Sequence, residues 1–102
     1  MIPAIGDNAR VVEQLCREFR VQCLELFGSA VGENFDPRTS DLDFLVEFEE
    51  LGPDEYADAY FGMLEGLREL FQRNVDLVMV SAVKNPYFLK SIERTRTLLY
   101  AA

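Results

Sequence analysis

The chain has 102 residues, 49% of them hydrophobic, and its 18 acidic and 10 basic side chains leave a formal net charge of −8. That suits one compact domain spanning 1–102, is too short for two, and holds too many apolar residues for a disordered segment. The acidic balance argues against a grip on nucleic acid, whose phosphates need Lys and Arg, and the absence of histidine excludes a Ser-His-Asp or Cys-His triad and any His-based zinc site.

In chain order, Asp7 stands where it can cap a first helix, with Val11, Val12, Leu15, Cys16 and Phe19 on one stripe. Val21 to Phe27 is a short apolar strand. Ala30 to Glu33 reads as a helical turn, and Asn34 to Ser40 as a loop containing Pro37. Leu42, Phe44, Val46 and Phe48 alternate, so Leu42 to Phe48 is a second strand. Pro53 suits the first turn of a helix that carries Tyr56, Tyr60, Met63, Leu64, Leu67, Leu70 and Phe71 at helical spacing. Val75 to Val80 is a third strand. Asn85-Pro86 then opens a last helix bearing Phe88, Leu89, Ile92 and Leu99.

The first two strands are joined by a short loop, which makes them antiparallel if they are neighbours. A helix of about five turns separates strands two and three and suits a right-handed parallel crossover. The expected fold is therefore α/β (α+β in some schemes), a small mixed β-sheet with helices packed on it. Cys16 and Cys23 read as buried, reduced thiols. No stretch reads as a signal peptide or as an apolar run long enough to span a membrane, so the expected location is the cytoplasm.

In such a sheet one edge gathers the end of strand one, the start of strand two and the start of strand three. Those places hold Gly28-Ser29, Asp41 with Asp43, and Asp76. Asp41 and Asp43 share a face because a strand repeats every two residues. Three converging carboxylates repel, and a divalent cation removes the conflict. Without histidine the ligands must be oxygen, which favours Mg²⁺, Mn²⁺ or Ca²⁺. Two Mg²⁺ ions about 4 Å apart are the usual arrangement where an oxygen attacks a phosphate. Glycine lets a backbone approach a phosphate closely, and a helical turn starting at Ser29 would offer free N–H groups and a hydroxyl.

Each feature also has a plainer reading. Gly-Ser after a strand is ordinary turn chemistry, Ser40-Asp41 suits a solvated turn, and Asp76 could pair with Arg73 or Arg68. The joint order of Gly-Ser, Asp-x-Asp opening a strand, and a third aspartate opening the next lifts the functional reading.

That order, in "FGSAVGENFDPRTSDLDFLVEF" and "VDLVMV", with the closing "NPYFLKSIERTRTLLYAA", resembles the nucleotidyltransferase fold of the DNA polymerase β superfamily. More narrowly it is similar to the minimal nucleotidyltransferases, the MNT family. The resemblance implies that Gly28 and Ser29 bind the triphosphate of ATP. It implies that Asp41 and Asp43 ligate Mg²⁺, two ions being expected. Asp76 would complete the metal site and help deprotonate the acceptor hydroxyl. Many relatives of this kind are antitoxins encoded beside a HEPN-type toxin, and some transfer AMP to a tyrosine of that toxin. The resemblance thus implies a protein adenylyltransferase acting as an antitoxin, with a HEPN-type toxin as partner and with no direct nucleic-acid or membrane contact. The alternative is a binding module that neutralises its partner by complex formation alone. Nucleotidyl transfer to a small molecule is a third reading, but it needs an acceptor site supplied by a partner or a second copy. Many relatives carry arginine just after Gly-Ser, whereas here the chain reads Ala30-Val31-Gly32-Glu33, with eleven residues between Ser29 and Asp41.

Overall fold

The computed structural model describes residues 3–32, 35–36 and 40–102. Four strands form one mixed sheet: β1 (Val21–Phe27), β2 (Leu42–Phe48), β3 (Val75–Met79) and β4 (Thr97–Ala101), in the order β3-β2-β1-β4. As expected, β1 and β2 are antiparallel and β2 and β3 are parallel. The helices are α1 (Pro3–Asp7), α2 (Ala9–Glu18), α3 (Pro53–Phe71) and α4 (Pro86–Glu93).

Alternation along β2 splits the core in two. Leu42, Phe44, Val46 and Phe48 face α2 and α3, meeting Val12 and Cys16 of α2 and Ala59, Met63, Leu64 and Leu67 of α3. Burial pushes the Cys16 thiol up to about 12, so it packs as an inert apolar group. The opposite face is covered by α4, whose Ile92 meets Phe27 and Leu45 in a smaller cluster flanked by Val78 and Val83. Phe27 also meets the edge of Phe88 at 6.0 Å between ring centroids.

Local chemistry explains the helix boundaries. Pro53 is the first residue of α3, where a missing N–H costs nothing. The Glu55 carboxylate accepts the Gly52 N–H at 2.9 Å, and α3 ends at Gln72 in the left-handed region with φ 53°. The Asn85 side chain accepts from the Tyr87 and Phe88 N–H groups and so caps α4. The packing of α2 on α3 depends on two glycines one turn apart. A side chain on Gly62 would collide with the Phe19 ring, and one on Gly66 would begin 2.7 Å from Leu15 Cδ2.

Several expectations need correction. Asp7 does not cap α2. It ends the short α1, and Asn8 occupies the cap position without a side-chain cap bond. Val11 turns outward at 40% exposure, and Cys23 is half-buried. Val80 leaves the sheet in a 3₁₀ turn, Val80–Ala82. The last helix stops at Glu93, and Leu99 belongs to β4, because the Thr95 and Arg96 N–H groups both close onto the Ile92 carbonyl. The chain then pairs with the open edge of β1, whose backbone groups need partners. Glu33, Asn34 and Pro37, which the sequence puts in a turn and loop, lie outside the described residues. Among the described residues no helix is long and apolar enough to cross a membrane.

Candidate active site

Three strand ends meet at one edge of the sheet. The last residue of β1, Phe27, pairs with Asp43 of β2, and Asp43 pairs in register with Asp76 of β3. The Leu42 N–H donates to the Asn74 carbonyl at 3.2 Å and so ties the starts of β2 and β3 together. Ser40 closes the preceding loop: its N–H donates to the Asp36 carbonyl at 2.8 Å, and its hydroxyl accepts the Asp36 N–H at 3.0 Å. Asp41 follows directly and is exposed, Asp43 is half-buried, and Asp76 is exposed. Asp43 and Asp76 share the α4 side of the sheet with Leu45 and Val78, away from the main core.

Electrostatics couple the three. Asp43 is pushed up to about 6, first by burial and then by the negative charges of Asp76 and Asp41. Asp76 pairs with neither Arg73 nor Arg68 among the described residues. Instead the Arg73 guanidinium lies 4.9 Å from the centre of the Phe35 ring.

Gly28 opens a single 3₁₀ turn, Gly28–Ala30, which ends where the sequence reading of a helical turn at Ala30 to Glu33 would have it begin. It has φ +78°, and a side chain there would begin 2.5 Å from Asp43 Oδ2. Both facts demand glycine. Its N–H is not free for a ligand, because it donates to Thr95 Oγ1 at 2.9 Å. The Ser29 side chain is half-buried and forms no hydrogen bond with the described residues. Ala30 is fully buried in the core, and Val31 packs against it. The positions just after Gly-Ser therefore serve packing and present no cation.

Sequence reasoning missed the α4–β4 connection. Thr95 reaches Gly28 across 67 residues, and Arg96 forms a two-pronged ion pair with Glu25 at 2.6 and 2.7 Å. That pair holds Glu25 below the usual carboxylate range. No local pattern announces either contact.

The donor set is all carboxylate oxygen, and its mutual repulsion falls on Asp43, which suits a hard divalent cation. Among the described residues, however, no three His, Cys, Asp or Glu side chains are already gathered tightly enough to hold a metal ion. A groove of about 480 Å³ lined by Val46, Phe48, Tyr56, Met79 and Val80 sits at the far ends of β2 and β3, away from the aspartates.

Comparison with known proteins places the chain in a family. The model of the nucleotidyltransferase domain family matches residues 9–99. A Methanocaldococcus jannaschii protein named "putative protein adenylyltransferase" is 39% identical over 93 residues, covering 90% of this chain and 91% of the relative. A second protein of that name and organism is 36% identical over 77 residues, covering 74% of each chain. Among solved structures, a toxin-antitoxin with AMP-PNP superposes with TM-score 0.69 at 21% identity, over 93% of this chain and 74% of the other. A Shewanella oneidensis complex of a tri-AMPylated HEPN toxin with its MNT antitoxin gives TM-score 0.64 at 20% identity, over 96% and 73%. A minimal nucleotidyltransferase gives 0.64 at 24% identity, over 90% and 89%. Matched over nearly its whole length by that family, and folded as the minimal members are, this chain belongs to the nucleotidyltransferases.

Proposed function

We propose that this protein transfers AMP from ATP to a tyrosine hydroxyl of a HEPN-type toxin encoded beside it, requires Mg²⁺, and acts as that toxin's antitoxin. The observation that carries the reading is the approach of Asp43 to Gly28, with Asp76 in register beside it. The names of the Methanocaldococcus relatives and of the toxin-antitoxin complexes support the choice of acceptor.

In this reading Asp41, Asp43 and Asp76, whose charges already act on one another, would hold the metal. When bound, Mg²⁺ supplies positive charge at the attacking and leaving oxygens. Gly28, whose missing side chain leaves room for the Asp43 carboxylate, turns the chain so that the Ser29 hydroxyl donates to the triphosphate. Asp76 accepts the proton of the acceptor hydroxyl. The new bond joins the phenolic oxygen to the α-phosphorus. The bond to the β-phosphate oxygen breaks, and pyrophosphate leaves with that electron pair. The proton passes from Asp76 to solvent.

A second reading is favoured by buried Ala30 and half-buried Val31, which leave no cation after Gly-Ser, and by the net charge of −8. An acidic domain of this fold could neutralise a basic RNA-cleaving partner by contact alone. The intact mass of the neighbouring HEPN-type protein, after incubation with this protein and Mg-ATP, separates the two. One or more added AMP units, absent with the Asp41→Asn/Asp43→Asn variant, supports transfer. No added mass, with a stable and inhibitory complex, supports the binding module.

A further inference from the structure

The α4–β4 connection, residues 94–96, reaches back to the end of β1 with two adjacent side chains. Arg96 grips Glu25 through two hydrogen bonds, and Thr95 Oγ1 accepts the Gly28 N–H at 2.9 Å. Thr95 is itself held. Its N–H donates to the Ile92 carbonyl at 3.0 Å, its hydroxyl donates to the same carbonyl at 3.4 Å, and its carbonyl accepts the Thr97 hydroxyl at 3.1 Å. Ile92 is buried between Phe27 and Leu45. The hydroxyl that fixes Gly28 is therefore anchored to the packed underside of the sheet.

Gly28 is the point where such a hold has consequences. Its backbone takes φ +78°, and the Asp43 carboxylate fills the space where a side chain would stand. A glycine free of that hold has several backbone conformations open to it. Each alternative would move Ser29 or press on the Asp43 carboxylate. We propose that Thr95 is a positioning residue of the nucleotide site: its hydroxyl locks the Gly28 turn in the one conformation that sets Ser29 and Asp43 for a nucleoside triphosphate. This inference rests on the reading of Gly28-Ser29 and the aspartates as the nucleotide site.

The test is titration of the full chain with Mg-ATP by calorimetry, for wild type, Thr95→Val, Thr95→Ala and Thr95→Ser, at a temperature where melting curves show each folded. Valine keeps the shape and loses the acceptor, serine restores it, and alanine replaces valine should the latter not fold. A folded but merely destabilised protein binds its ligand with unchanged affinity. The expected result is a loss of about tenfold or more in Mg-ATP affinity for T95V or T95A, since affinity falls with the fraction of molecules in the binding-competent conformation, with T95S within about twofold of wild type. Wild-type affinity in T95V or T95A overturns the proposal, as does a loss that T95S fails to rescue. Asp43→Asn separates the two readings. Affinity lost in D43N but kept in T95V overturns the role of Thr95 alone. Wild-type protein that binds no Mg-ATP, or D43N that binds and transfers as wild type, overturns the site as well.

Discussion

Asp43 Oδ2 stands 2.5 Å from the point where a side chain on Gly28 would begin, so the end of β1 and the start of β2 meet at a position only glycine can occupy. Gly28→Ala would force the carboxylate aside and place alanine at φ +78°. We expect a loss of about 2 kcal/mol in unfolding free energy by urea titration, the combined cost of left-handed backbone and overpacking. Transfer activity should fall further than the folded fraction does.

Asp41 and Asp76 are exposed and form no ion pair with the described residues, so the fold has little use for their charge. Asp41→Asn and Asp76→Asn should each leave the melting temperature of the metal-free protein within a few degrees of wild type. Each should lower transfer by about a hundredfold or more, as loss of a charge-stabilising group does. Addition of Mg²⁺ with ATP should raise the wild-type melting temperature and leave Asp41→Asn/Asp43→Asn unmoved, because only a bound ligand adds stability by mass action. Equal shifts in both proteins would remove the metal site from these residues.

The pH dependence of the metal-free protein should carry the signature of Asp43. Its carboxyl is raised from 3.8 to about 6 in the folded state, so the folded protein holds the proton more tightly than the unfolded chain. That contribution is full below about pH 4 and is lost as pH rises through 6. Asp43→Asn should therefore be more stable than wild type at pH 8, by about 1 kcal/mol after allowing for solvent screening. This corresponds to about 4 °C in melting temperature, and the two proteins should converge at pH 4.

Glu25 should behave with the opposite sign. Hydrogen bonding to Arg96 lowers its pKa, so its contribution is present above the unfolded value of 4.5 and is lost as pH falls through the folded value. Glu25→Gln should cost about 1 kcal/mol at pH 7, since the Glu25 side chain is only 13% exposed while Arg96 is partly solvated. The difference should shrink as pH falls below 4.5, which denaturation at pH 3 and pH 7 would check.

Gly62 sits inside α3, where glycine is intrinsically unfavourable by about 1 kcal/mol against alanine. The reason for it is the Phe19 ring. Gly62→Leu should cost about 2 kcal/mol by overpacking. Phe19→Ala in the same chain should recover part of that loss, a coupling that a double-mutant cycle would measure.

Much of this molecule is legible in residue order. The alternation Leu42, Phe44, Val46, Phe48 marks β2 to its ends, and Pro53 and Asn85-Pro86 mark the starts of α3 and α4. The pairing of β1 with β2 and of β2 with β3 follows from connection lengths. Those local signals suffice to bring Gly28, Asp43 and Asp76 to one edge, because period-two strands and short connections leave few alternatives. The fourth strand carries no local signal, because Thr97–Ala101 is short and follows α4 without a Gly or Pro break. Its strand state comes from the open edge of β1.

Residue order alone could not say what the Gly28 N–H would do. A turn after Gly-Ser reads as a source of free donors, yet a hydroxyl 67 residues away takes the Gly28 N–H. It could not tell whether Asp76 would face a carboxylate or an arginine, since strand register decides that, and register is set by the packing of whole faces. Composition, periodicity and the order of Gly-Ser, Asp-x-Asp and Asp thus point to the edge where Gly28, Asp43 and Asp76 meet. The neighbours of each group at that edge come from contacts between segments far apart in the chain, and such contacts exist only once the sheet and α4 have closed over Phe27, Leu45 and Ile92.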